Sequence, residues 1–321
     1  MCGCLILVVS LSSENQTINY TDMKMTKFIV CLLGLASFFS CAPKQTEATD
    51  ELPVALQLYT VRNELAADFL GTLCKVSEMG YDGVEFAGLN GYEPTQIKKW
   101  CDSLGLTPIS AHVPLADMLA DVDKVIADYK AVGCEYIVVP YVTEERRPGG
   151  ELFMQMVEEI RAIGQKAKAA GLVLLYHNHD FEFKKLPDGQ IGLDYLYANV
   201  PADLLQTELD QCWVKYAGYE PVAYLEKYSG RSPVVHLKDF HVEGKQEGDP
   251  YALIGLNENE KKANTAFEFR PLGKGVQDIP AIIAAAKAAG SKWLVVEQDQ
   301  PSMGKNPLEC AKISIEYLKS L

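Results

Sequence analysis

The chain has 321 residues, 48% of them hydrophobic, enough apolar material for one large core or two domains. Its formal net charge is −13 and it carries no basic stripe. That balance excludes a nucleic-acid partner, because binding a polyanion requires a basic face.

In chain order, the first feature is an address. Lys24-Met25-Thr26-Lys27 is basic, and residues 28–39 are apolar but too short to span a bilayer, which takes roughly 20 residues. This pattern suits a secretory signal. Its end, Phe38-Phe39-Ser40-Cys41-Ala42, resembles the lipobox of bacterial lipoprotein signal peptides. The resemblance implies cleavage before Cys41, lipid on that cysteine, and a periplasmic protein tied to a membrane through its lipid anchor only. The expected organisation is therefore a leader over 1–40, with the signal at 24–40, then a polar tether over 41–52 and a folded domain over 53–321. Residues 1–22 fit no part of a signal and are expected to be a start-site artefact, with Met23 or Met25 as the true start. Beyond Cys41 the cysteines are Cys74, Cys101, Cys134, Cys212 and Cys310, scattered without CxxC or zinc-ribbon spacing.

From Val54 onward short β-branched runs alternate with stretches of helical period. Strands are expected at 54–61 (VALQLYTV), 83–87, 108–113 (PISAHV), 136–142 (YIVVPYV), within the stretch 174–183 that carries both His177 and His179, 204–210 (LLQTELD), 233–239 (PVVHLKD) and 293–298 (WLVVEQ). Helices are expected at 68–79, 94–104, 119–132, 151–170, 193–199, 221–228, 279–289 and 307–321. Gly80, Gly105, Gly133, Gly171 and Gly290 follow helix ends, as stop signals should. Residues 240–270 read as a polar insertion without period; such long loops are more often functional than incidental. Alternating strand–helix units on this scale predict a single-domain (β/α)8 TIM barrel, an α/β fold of about 250 residues.

Barrel enzymes work where strands end and βα loops begin. Those ends hold Glu85, His112, His177, His179, Glu208, Asp210, His236, Lys238 and Glu297, with Glu182 and Asp299 just beyond; the fifth of the five histidines, His241, follows the seventh strand. Strand side chains alternate faces, so His177 and His179 both follow Val173 and Leu175 onto the barrel interior, with Asn178 on the other side. Mixed imidazole and carboxylate suits Zn, Mn or Co, with Mg preferring oxygen alone. One divalent metal is therefore expected on His177 or His179, Asp210, His236 and Glu297.

Several segments resemble the xylose-isomerase-like barrel superfamily, whose members include sugar phosphate isomerases and epimerases, inosose dehydratase and AP endonuclease family 2 enzymes. They are LQLYTVR at 56–62, GYDGVEFAG at 80–88, GLTPISAHVP at 105–114, YHNHDFEF at 176–183, VVHLKDFH at 234–241, PLGKGVQDI at 271–279 and VVEQD at 295–299. The resemblance implies a metal held by Glu, Asp, His and Glu on strands five to eight. Asp210, His236 and Glu297 match the last three, while His177 stands where glutamate is usual. It further implies an isomerase or epimerase acting through an enediolate on a keto-sugar or related polyol. The alternatives are a lyase or dehydratase acting on a keto-sugar, 3-keto-glycoside or inosose, and a non-catalytic carbohydrate-binding lipoprotein. Glu297, Glu208, Lys238 and Glu182 are the expected catalytic groups, and His112, Glu85, Tyr59 and His179 the expected substrate contacts. Glu85 reads equally as a structural salt bridge. Tyr59, Phe181, Trp213 and Phe240 are candidates for an apolar floor under a sugar ring. The glycines of PLGKGV suit a phosphate cradle or, better, a tight loop. The partner is a small sugar molecule, and an oligomer is compatible with the sequence.

Overall fold

The computed structural model describes residues 51–243 and 266–321. The leader, Cys41, most of the tether and much of the polar insertion lie outside the described residues. The strands are β1 (Val54–Gln57), β2 (Gly83–Phe86), β3 (Thr107–His112), β4 (Tyr136–Val139), β5 (Val173–His177), β6 (Gln206–Asp210), β7 (Val234–Leu237), β8 (Asp239–Val242), β9 (Phe267–Arg270) and β10 (Trp293–Val296). Eight of them run parallel and close into a barrel in the order β1-β10-β7-β6-β5-β4-β3-β2. Leu175 joins Ala55, Ile109, Val138, Val234 and Val295 in a small cluster of strand residues, the filled barrel interior. Leu174 and Tyr176, one step out of phase, join the larger cluster between sheet and helices.

The helices are α1 (Arg62–Ala67), α2 (Phe69–Met79), α3 (Pro94–Leu104), α4 (Leu115–Val132), α5 (Phe153–Ala169), α6 (Gly192–Asn199), α7 (Gln211–Tyr216), α8 (Pro221–Lys227), α9 (Ile279–Ala288) and α10 (Pro307–Leu318). Gly80 and Gly105 close α2 and α3 in left-handed backbone, φ 87° and 68°, a conformation that costs glycine nothing.

Four departures from the sequence expectation have physical causes. The first strand is half as long as its apolar run, because the chain turns into a 3-10 segment at Leu58–Val61 and then α1. Helix α4 begins at Leu115, earlier than expected, and breaks at Asp121 (φ −156°, ψ 78°), whose carboxylate caps the next turn through Lys124 N–H at 3.0 Å. Helix α7 starts at once after β6, because Asp210 accepts the Cys212 N–H at 2.8 Å. The polar insertion is not structureless throughout: β8 and β9 pair antiparallel, with Phe240 opposite Phe269. That pairing joins residues far apart in sequence, so no local period announces it.

The hairpin also relocates the expected apolar floor. Trp213 and Phe240 pack with Cys212, Phe267 and Phe269 in a buried cluster of their own, with Phe181 against its edge. They are core. The glycine loop 271–276 is equally committed: the Asp239 carboxylate accepts the N–H groups of Phe240, Gly273, Gly275 and Gln277 at 2.9–3.1 Å. A Cβ at Gly275 would lie 2.1 Å from that carboxylate. A phosphate would have to displace an internal anion from this cradle, which makes it a tight loop.

Candidate active site

Because β5, β6, β7 and β10 are neighbours in the barrel, their C-terminal residues converge. His177, Asp210, His236 and Glu297 each offer a ligand atom, and all four atoms lie within 4.8 Å of one another. His112, His177, Glu208 and His236 form a second such group, so His177 and His236 belong to both. His179 belongs to neither. Its ring stacks on Phe181, with centroids 5.3 Å apart and planes 6° from parallel, and meets Tyr141 edge-on.

Charges in this nest are arranged in layers. At the bottom lies Glu85, fully buried. It accepts from Gln57 Nε2 at 2.7 Å and from Ser110 Oγ, and sits 2.8 Å from His236 Nε2. Burial opposes its charge, yet His112 and His236 hold the carboxyl well below the usual range. Above it Glu208 Oε1 faces His112 Nε2 at 2.6 Å, His177 Nδ1 at 3.0 Å and His236 Nε2 at 3.0 Å. Lys238 occupies the opposite side, its Nζ 3.2 Å from Asp210 Oδ2 and 2.9 Å from both Glu297 Oε2 and Asp299 Oδ2. Burial works against that ammonium, and the three carboxylates outweigh it, holding the pKa well above the ordinary lysine value. Asp299 responds to its own burial and to Glu297 beside it, rising to about 7. Burial pushes the imidazoles of His177 and His179 well below their ordinary value, so both are neutral bases.

The nest opens into a cavity of about 570 Å³. Tyr59, His112, His177, His179, Lys238, Glu297 and Asp299 line it. Glu85 and Glu182 do not, nor do the fully buried Asp210 and His236. Glu85 sits beneath the cavity and positions His236 and His112, so it is no substrate contact. Glu182 lies behind β5, accepting from Tyr176 Oη at 2.6 Å and from His179 N–H at 2.8 Å. Tyr176 points outward toward the helices, so this carboxyl pins the β5–α6 loop rather than meeting substrate. Burial also raises its pKa to about 8. Glu208, expected as an acid or base, does not line the cavity either and serves three imidazoles. Sequence reasoning did not assign Asp299 or Tyr141 a role. Asp299 had a signal, two residues past Glu297 on the same strand end. Tyr141 had a similar signal, its place at the end of the expected fourth strand; β4 stops at Val139 and leaves it in the loop that lines the cavity.

The donors fit a borderline divalent ion: two imidazoles and two carboxylates, all buried. Glu208 Oε2 is buried without a hydrogen-bond partner, the condition of a group placed for a cation nearby rather than for a neutral neighbour.

A profile of the xylose isomerase-like TIM barrel family matches residues 73–321. The chain belongs to the xylose isomerase-like TIM barrel family. Within that family it is 22% identical over 275 residues to an inosose dehydratase from Geobacillus kaustophilus, covering 78% of this chain and 86% of the relative. The crystal structure of a sugar phosphate isomerase/epimerase from Parabacteroides distasonis superposes with a TM-score of 0.67 at 22% identity, over 86% of this chain and 96% of that one. The crystal structure of the IOLI protein with a bound zinc atom superposes with a TM-score of 0.61 at 16% identity, over 84% of this chain and 97% of that one. Both solved structures share the barrel fold with this chain.

Proposed function

We propose that this barrel is a divalent-metal-dependent lyase that eliminates water or an alcohol from a keto-sugar, keto-glycoside or inosose. The observation that carries the reading is the asymmetry of the cavity walls. One wall, from β3 and β5, presents His112, His177 and His179; the other, from β7 and β10, presents Lys238, Glu297 and Asp299. Two-faced epimerisation calls for matched acid–base groups on both faces of one carbon. Here Glu182 and Glu208 are withdrawn, and an imidazole wall opposes an ammonium–carboxylate wall. A neutral base facing a charged acid is what β-elimination uses.

A cation on His177, Asp210, His236 and Glu297 would act as a Lewis acid toward the substrate carbonyl. Neutral His179 takes the proton α to that carbonyl. The C–H electrons form the new double bond as the β C–O bond breaks, and the leaving oxygen takes a proton from Lys238. Asp299, 2.9 Å from Nζ and near its own titration point, resupplies that proton. His112 hydrogen-bonds substrate, and Tyr59 closes the cavity beside Asp299. The dehydratase relative supports this direction of chemistry, and the zinc-bound neighbour supports a metal-binding barrel.

Isomerisation or epimerisation is the second reading. Glu297 and His177 both line the cavity and could pass a proton to and from a substrate carbon, and a fold neighbour is an isomerase/epimerase. Incubation of metal-loaded protein with inosose and 3-keto-glucosides in D₂O, followed by NMR, separates the two. The expected result is loss of water or aglycone with a new double bond. Deuterium at the α-carbon and an epimerised sugar with its leaving group intact would overturn the lyase reading. The proposal includes export as a lipoprotein through Cys41. Labelled palmitate should enter the wild-type chain in cells and not the Cys41→Ala variant; equal labelling would refute it.

A further inference from the structure

Resting on the lyase reading, we infer that the leaving group is an apolar, preferably aromatic, aglycone held in a subsite of its own. The cavity does not end at the charged nest. It continues to a wall of Val113, Pro114, Leu115, Leu119, Tyr129 and Val142. At about 570 Å³ the whole space lies in the range that takes a drug-sized ligand, roughly 300–1,000 Å³, larger than one sugar ring requires.

This wall is built by the break in α4. Asp121 leaves the helical region, so the turn Leu115–Ala120 is set apart from the rest of the helix. Leu119 on that turn is 42% exposed although it lines the cavity, whereas Val113, Leu115, Tyr129 and Val142 are buried. A large aliphatic side chain left open beside a buried apolar wall gains most when a ligand covers it. Arg146 at this end is already paired with Glu159, which suits a neutral group rather than a phosphate.

The reaction geometry fits the placement. In a glycoside oxidised at C3, removal of the C2 proton forms the C1–C2 double bond as the C1–O bond breaks. The aglycone departs as its alcohol after taking one proton, and no redox partner is needed. The ring then sits in the nest and the departing alcohol against Leu119.

The experiment compares methyl and benzyl 3-keto-glucosides, whose alcohols are leaving groups of nearly equal basicity, with metal-loaded protein. The benzyl compound serves as the aryl-bearing substrate, and binding of unoxidised benzyl glucoside is measured by calorimetry. The wild type should favour the aryl substrate by about 10- to 100-fold in kcat/KM, the worth of burying one large apolar group. Leu119→Asp should bring that ratio near one and weaken calorimetric binding in proportion. A ratio near one in the wild type, or an unchanged ratio in the variant, overturns the subsite. If neither keto-glycoside is turned over while Leu119→Asp still weakens aryl-glucoside binding, the subsite stands and the lyase reading falls.

Discussion

Replacing Lys238 by methionine should lower turnover by about 10²- to 10⁴-fold, the range supplied by a positioned acid or base. Methionine keeps most of the volume, so the loss is one of charge. It should also cost about 3–5 kcal/mol of stability, because removing one partner strands the remaining buried charges. The stranded groups are Asp210, Glu297 and Asp299, each 5% exposed or less. The two effects separate in a double variant. Asp299 already titrates near neutrality, so adding Asp299→Asn to Lys238→Met should restore much of the melting temperature and none of the activity. A Lys238→Met protein that turns over within about tenfold of wild type would remove Lys238 from the chemistry.

Loss of the Asp210 carboxylate should abolish stoichiometric metal. Second-sphere changes alone cost 10- to 100-fold in affinity, and a direct ligand should cost on the order of 10² or more. Asp210→Ala also removes the cap on α7, worth about 1 kcal/mol, whereas Asp210→Asn keeps an oxygen for the Cys212 N–H. Elemental analysis of purified protein should therefore find about one divalent ion per wild-type chain and little in either variant, with Asp210→Asn melting closer to wild type. Wild-type affinity in Asp210→Asn, or no metal in the wild type after reloading, would end the metal assignment.

Much of this was written in local pattern. The barrel follows from β-branched runs alternating with helical period, a signal carried by neighbours in the chain. The interior position of His177 follows from two-residue alternation after Val173 and Leu175, and the convergence of Asp210, His236 and Glu297 follows from their places at strand ends. Chemical type and strand phase need no tertiary information.

What the sequence left open were choices between groups of equal chemistry. Glu182 and Glu297 are both glutamates near strand ends. One is turned onto Tyr176 and the backbone of His179, the other faces the cavity, and only packing decides which. His177 and His179 share a strand phase, yet β5 ends between them, so His177 enters both donor groups while His179 stacks on Phe181. Glu85 and Glu208 became struts once three histidines from other strands enclosed them. The β8–β9 hairpin, the Asp239 carboxylate inside the glycine loop and the apolar wall at the α4 break all depend on residues distant in sequence. Local periodicity determined where the functional groups emerge. The closed barrel decided which way each one faces, because burial and charge pairing are set by neighbours that the chain order does not reveal.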